Sequence, residues 1–218
     1  MSPKERGLRA AIVAVARRAS DQGLNPGKSG NVSARTDGGF LVTPSGKAYL
    51  HLGVDDLVFV DDAGRADGAG KPSSEWRLHR DVYGKHADTR AIVHTHSPYA
   101  TTLACLRRAI PAFHYEVALA GGADIRCCGY ATFGTQELSD LALAALEGRS
   151  ACLMANHGVV ALGIDLDAAA GMAEKVEALA RLYWQALQLG EPVLLDDAEM
   201  ARVVEKFRDY GKPGSKAS

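Results

Sequence analysis

The chain has 218 residues, 47% hydrophobic and 23% charged, with 25 Lys and Arg against 26 Asp and Glu for a formal net charge of -1. That apolar content supports a packed core and excludes wholesale disorder or a collagen-like fibre, and the length fits one domain. Balanced charge without a basic block excludes a broad nucleic-acid footprint, so function has to come from a local site.

In chain order, residues 5–20 read as an amphipathic helix, with Leu8, Ile12, Val15 and Ala16 on its apolar side and Arg17 and Arg18 exposed. The arginines that break this run argue against a secretory leader, and no stretch reaches the roughly 20 apolar residues of a membrane span. The turn-rich DQGLNPGKSGNVSAR leads into a strand near 31–35, and Asp37-Gly38-Gly39 is a hairpin signal before a second strand over 39–43. LVFVD at 57–61 reads as a strand, GRADGAGKPSS as a polar connection, and EWRLHRDVYGKH as a helix that packs through Trp76, Leu78, Val82 and Tyr83. AIVHTH at 91–96 is strand-like, and Ser97-Pro98 opens another helix, with Ser suited to cap it and Pro to its first position.

Further on, a short strand is expected at 111–114 and a helix over 138–146. SACLMANHGVVALG at 150–163 reads as strand, functional turn, strand, followed by a long helix over 166–189 begun near Asp165 or Asp167. A final helix over 197–208 precedes the loose GKPGSKAS tail. Strands joined by both hairpins and helices, without repeat or linker, predict one α/β domain with a mixed or antiparallel sheet covered by helices. Cys105, Cys127, Cys128 and Cys152 lack Cys-x-x-Cys spacing and read as buried or half-buried free thiols, which predicts a reducing cytoplasm.

His94-x-His96 places two imidazoles on one face of a strand, and His157 sits in the Asn156-His157-Gly158 turn. Three imidazoles can hold Zn²⁺ with a coordination position left open; the alternative is two unrelated surface histidines and one hydrogen-bonded in the core. His51 and His86 read as surface or turn residues, His79 as a packing residue or a buttress of the site, and His114 as a neighbour of it. Three Gly/Ser/Asn segments suit a small anion: Gly27 to Ser33, Thr43-Pro44-Ser45-Gly46, and Lys71-Pro72-Ser73-Ser74. None has the order or spacing of a Walker loop. Glu75 either complements a helix dipole, or binds metal and transfers protons.

The ordered set GKSGNVSAR, LVTPSGKAY, GKPSSEWRLH, AIVHTHSPYA, IPAFHY, AGGADI, YATFGTQELS, MANHGVVALG and EKFRDYG resembles the class II aldolase/adducin family, especially its L-fuculose-1-phosphate aldolase-like enzymes. The resemblance spans about residues 6–211, taken as one catalytic domain, with 212–218 as a flexible tail. It implies a three-layer α/β/α fold around a mostly antiparallel sheet, assembled as a homotetramer with sites near subunit boundaries. It also implies one zinc ion per subunit, or another divalent metal, on His94, His96 and His157, with Glu75 completing the resting shell and moving a proton. Asn31, Ser45, Gly46, Ser73 and Ser74 match phosphate-binding positions, and Tyr115 and Tyr210 match tyrosines that position or protonate the aldehyde oxygen.

Two positions depart from that pattern. Glu116 stands where an apolar residue is expected and is a candidate for contact with a substrate hydroxyl, for aldehyde selectivity or for pairing with an arginine; Ser45 replaces a threonine and keeps the hydroxyl. The implied reaction is reversible cleavage of a ketose 1-phosphate to dihydroxyacetone phosphate and an aldehyde, with no lysine Schiff base. L-fuculose 1-phosphate is the first expected substrate, with 5-deoxyribulose 1-phosphate and 5-methylthioribulose 1-phosphate close behind. A 4-epimerase, a methylthioribulose-phosphate dehydratase and an oxo-tetronate-phosphate decarboxylase are the family alternatives, and a non-enzymatic adducin-like domain is the rival of a different class.

Overall fold

Strand β1 (Asn31–Thr36) turns back into β2 (Gly39–Val42) with Thr36 opposite Gly39, as the hairpin signal predicts. Gly38 carries the turn at φ +75°, a left-handed conformation that costs glycine nothing. Strands β3 (Val58–Asp61), β4 (Ala66–Asp67), β5 (Ala91–Thr95), β6 (Cys127–Cys128), β7 (Ala151–Met154) and β8 (Gly158–Gly163) complete one sheet in the order β4-β3-β2-β1-β5-β8-β7-β6. Neighbouring strands are antiparallel except β6 and β7. The computed structural model describes residues 1–209; Tyr210 and the 212–218 tail lie outside the described residues.

Strict alternation assigns the two faces of the sheet. Val32, Ala34, Leu41, Val93, Leu153, Val159 and Ala161 pack on one side with residues of helices α1 (Pro3–Asp21), α3 (Pro98–Cys105) and α5 (Leu166–Leu189). Phe40, Val42, Val58, Ile92, Met154, Val160 and Leu162 pack on the other with α2 (Trp76–Lys85) and α4 (Gln136–Ala145). Helix α6 (Asp197–Asp209) follows α5. The result is the expected three-layer α/β/α arrangement, with each fully buried Leu or Ile worth roughly 1.5–3 kcal/mol. No helix among the described residues is long and apolar enough to cross a membrane.

Several local expectations need correction. Residues 111–114 form no strand: Pro111 lacks an N–H for a ladder, and only an isolated bridge joins Ile110 to Ile125 before a 3-10 helix, Tyr115–Ala120. The polar 64–74 connection contains β4, and β6 was unforeseen; two residues are too few to show a period. Helix α4 starts two residues early because Thr135 accepts from Leu138 N at 3.3 Å. Ser97 does not cap α3 through its hydroxyl. Both oxygens of Glu177 instead accept from Tyr99 N and Ala100 N at 2.9 Å. Cys105 is exposed, unlike the other three free cysteines.

Candidate metal centre and anion cradle

His94 lies on the α2 side of β5, directly opposite Asn31 of β1 and Val160 of β8, and is fully buried. His96 follows one residue past the strand, and the β7–β8 turn brings His157 to both. One nitrogen from each ring lies within 4.8 Å of the others, and the rings stand nearly edge to face with centroids 4.8–5.0 Å apart. His94 Nδ1 lies 2.7 Å from Val159 O, a contact only an N–H can make, so Nε2 points inward.

Glu75 closes the group. It occupies the cap position of α2 without capping the helix through its side chain. Its Oε2 lies 3.0 Å from His94 Nε2 and its Oε1 3.2 Å from His157 Nε2, yet Oε1 is buried without a hydrogen bond. Burial disfavours the carboxylate anion, but the charge and hydrogen bond of His94, with His157 and Asn31, outweigh it and hold the group well below the usual range. Burial, reinforced by the neighbouring imidazoles, pushes His96 down to about 3 and His157 to about 4, so both are neutral with lone pairs free. Burial also disfavours charge on His94, where the Glu75 carboxylate prevails and raises its pKa. Inward lone pairs and an orphaned carboxylate oxygen fit a divalent cation.

The turn that carries His157 is tied to the end of α3 by one residue. Asn156, at φ +54°, donates from its backbone N to Ala104 O at 3.0 Å and from Nδ2 to Cys105 O at 3.4 Å, and its Oδ1 accepts from Arg107 Nε at 3.3 Å. Asn156→Gly keeps the backbone conformation and loses the side-chain bonds; Asn156→Ala strains the backbone as well. Zinc affinity, measured by chelator competition, is expected to fall about threefold for glycine and about tenfold or more for alanine. Equal wild-type affinity in both variants would remove Asn156 from this role.

The three anion segments are stitched together by backbone bonds. Thr43 N donates to Val32 O at 3.0 Å, Ser73 N to Thr43 O at 3.1 Å and Ser45 N to Lys71 O at 3.0 Å, around a Pro44–Pro72 bridge. Asn31, Ser45, Gly46, Ser73 and Ser74 therefore line one cavity of about 290 Å³ together with Glu75, His96 and His157. Asn31 belongs there only in part, because its side chain is taken: Nδ2 donates to Glu75 Oε2 at 3.0 Å and Oδ1 faces His79 Nε2 at 2.5 Å. Lys28, Tyr130, Phe133 and Asn156 also line the cavity. Sequence reading placed Lys28 within the first anion segment but gave Tyr130, Phe133 and Asn156 no role, although Asn156 adjoins a candidate ligand. Asn25, likewise missed, is buried and clamps the end of β5, accepting from His96 N at 3.1 Å and donating to His94 O at 3.4 Å.

The remaining candidates lie elsewhere. Tyr115 does not line the cavity; it is half exposed and stacks on Phe207 at 6.0 Å. Glu116 pairs with Lys175 at 3.0 Å, not with an arginine. His114 caps the 3-10 helix by accepting from Glu116 N at 3.3 Å, His51 is exposed, and His86 ends α2.

Three converging imidazoles and a buried, unbonded carboxylate oxygen beside a serine-lined cavity on this layered fold define the class as a metal-dependent enzyme. Residues 10–184 match the Class II Aldolase and Adducin N-terminal domain, and the chain belongs to that family. It is 53% identical over 204 residues to a 5-methylthioribulose-1-phosphate/5-deoxyribulose-1-phosphate aldolase of Rhodospirillum rubrum, covering 94% of this chain and 92% of that protein. It is 45% identical over 190 residues to the L-fuculose phosphate aldolase of Escherichia coli, covering 87% and 88% of the two chains. A solved structure of an L-fuculose 1-phosphate aldolase superposes with a TM-score of 0.90 at 39% identity, over 95% of this chain and 98% of that one.

Proposed function

We propose that the chain is a zinc-dependent aldolase that reversibly cleaves a ketose 1-phosphate to dihydroxyacetone phosphate and an aldehyde. The observation that carries this reading is the single cavity shared by His96, His157, Glu75 and the serine-rich cradle. A divalent ion on His94, His96 and His157 supplies Lewis-acid polarisation of the substrate carbonyl oxygen. Ser45, Ser73 and Ser74, with the amides around Gly46 and the start of α2, hold the phosphate. In the condensing direction the Glu75 carboxylate removes the proton from the reacting carbon of dihydroxyacetone phosphate. In cleavage a tyrosine or a water takes the C4-hydroxyl proton as C3–C4 breaks, and Glu75, in its protonated form, returns a proton to the freed carbon. The 5-deoxypentulose 1-phosphates rank ahead of L-fuculose 1-phosphate, supported by the name and identity of the Rhodospirillum relative and by the aromatic Tyr130 and Phe133 on the cavity wall.

The reading extends to a homotetramer in the cytoplasm and to one catalytic domain over about 6–211. In that assembly Tyr115 and Glu116 act at a neighbouring subunit's site, which the half-exposed Tyr115 ring, away from its own cavity, supports; Tyr210 stays a candidate for the same aldehyde chemistry through the family resemblance. Glu116→Ala is expected to change the relative rates with different aldehydes, and identical rates would leave Glu116 only as the partner of Lys175. Incubating the zinc-loaded protein with a panel of ketose 1-phosphates, with products identified by mass and stereochemistry, tests the whole reading. Aldehyde plus dihydroxyacetone phosphate is expected; a 4-epimer, carbon dioxide or a dehydrated sugar as the product would overturn it.

A further inference from the structure

Behind Glu75 a chain of polar side chains runs into the layer between the sheet and α2. Asn31 Nδ2 donates to Glu75 Oε2 at 3.0 Å. Beyond it, His79 Nε2 lies 2.5 Å from Asn31 Oδ1, Ser33 Oγ lies 2.6 Å from His79 Nδ1, and Tyr83 Oη lies 2.7 Å from Ser33 Oγ. His79 and Ser33 have no exposed surface, and Asn31 and Tyr83 are buried. Buried polar groups of this kind are costly unless every one is satisfied.

The direction of each bond follows from the first. An ionised carboxylate only accepts, so Asn31 must present its amide NH₂ to Glu75 and its carbonyl to His79. His79 Nε2 must then carry a hydrogen. His79 has no exposed surface, its Nε2 faces a carbonyl and its Nδ1 a hydroxyl, and neither group offsets a buried positive charge, so the imidazole is neutral. A neutral ring with a hydrogen on Nε2 accepts at Nδ1, so the Ser33 hydroxyl donates to it and accepts in turn from Tyr83. Every group has one role, and reversing any of them would turn the Asn31 carbonyl against the Glu75 carboxylate.

We propose that Tyr83, Ser33 and His79 are positioning residues for the Glu75 carboxylate, acting through Asn31 by a buried hydrogen-bond chain of fixed direction. The sheet builds it in: Asn31 and Ser33 are alternate residues on the α2 face of β1, while His79 and Tyr83 are one helical turn apart on α2. Its catalytic consequence rests on the proton-transfer role proposed for Glu75.

Two measurements on the zinc-loaded protein test it. Nitrogen-15 NMR of labelled histidines is expected to show His79 as the Nε2–H tautomer, and the Nδ1–H tautomer would overturn the chain. Exchange of the hydroxymethyl hydrogen of dihydroxyacetone phosphate into D₂O reads Glu75 directly. His79→Leu is expected to slow exchange about 10–100-fold with zinc content and phosphate affinity unchanged, whereas His79→Gln, which keeps an amide donor near the Nε2 position, stays within about threefold of wild type. Equal losses in both variants, or no loss in His79→Leu, would reject the positioning role. Should His79→Leu not fold, the smaller change Ser33→Ala applies, with a shifted His79 tautomer and slowed exchange expected and neither seen if the chain is idle. Absence of exchange in the wild type would sink the aldolase reading and leave the tautomer to judge the chain.

Discussion

Glu75→Gln is expected to slow hydrogen exchange of dihydroxyacetone phosphate by about 10²–10⁴-fold, the range a positioned general base contributes. The substitution keeps the shape of the side chain and removes the charge. It also replaces an acceptor-only group with one that must direct an NH₂ at Asn31 Nδ2, His94 Nε2 or His157 Nε2, all of which face the carboxylate in the folded chain. Phosphate affinity should change little, because Ser45, Gly46 and Ser74 line the cradle independently of the carboxylate. Proton NMR in D₂O gives the exchange rate and phosphate titration gives the affinity. Wild-type exchange in the variant would take Glu75 out of the proton transfer.

Gly158→Ala is expected to empty the metal centre. An added methyl would sit 2.3 Å from Thr95 O, 3.0 Å from His96 Cδ2 and 3.3 Å from His94 Cε1. The requirement is one of space, and the first obstacle is main chain of β5, which cannot swing aside as a side-chain tip can. Relief means parting β5 from β8 at the Thr95–Val159 end of their pairing, where the imidazoles converge. Overpacking of this kind costs about 1–3 kcal/mol and displaces ligands whose placement matters on the scale of tenths of an ångström. Zinc per chain, by elemental analysis, should fall well below the wild-type content, with cleavage falling in step and Tm lowered. Full metal content with normal activity would show that the strand end yields without consequence.

Local chemistry made much of this molecule readable. Helix α5 runs over Leu166–Leu189 as expected, because its Ala- and Leu-rich face is long and Asp165 caps it, accepting from Ala168 N at 2.7 Å. The His-x-His strand end and the His157 turn announced themselves through residue type and spacing. Missing from the sequence was whatever depends on distant partners. Ser97 looked like a cap until Glu177, far along the chain, supplied the acceptor. Asn31 read as a phosphate residue by its setting, and only the β1–β5 register, with Asn31 opposite His94, turns its amide to Glu75. Asn25 gave no signal at all, since a turn-rich segment does not reveal which main-chain groups its side chains will clamp.

The register that sets Asn31 against His94, and His94 against Val160, also constrains the order in which the protein assembles. The donors come from the cap of α2, the end of β5 and the β7–β8 turn, far apart in sequence and adjacent only once the central strands have paired. Contacts of such range are slow to form and have no local nucleus. A metal ion therefore finds its complete set of donors on a chain that is already folded. It stabilises that state by mass action, in proportion to its free concentration, instead of serving as the template on which folding begins.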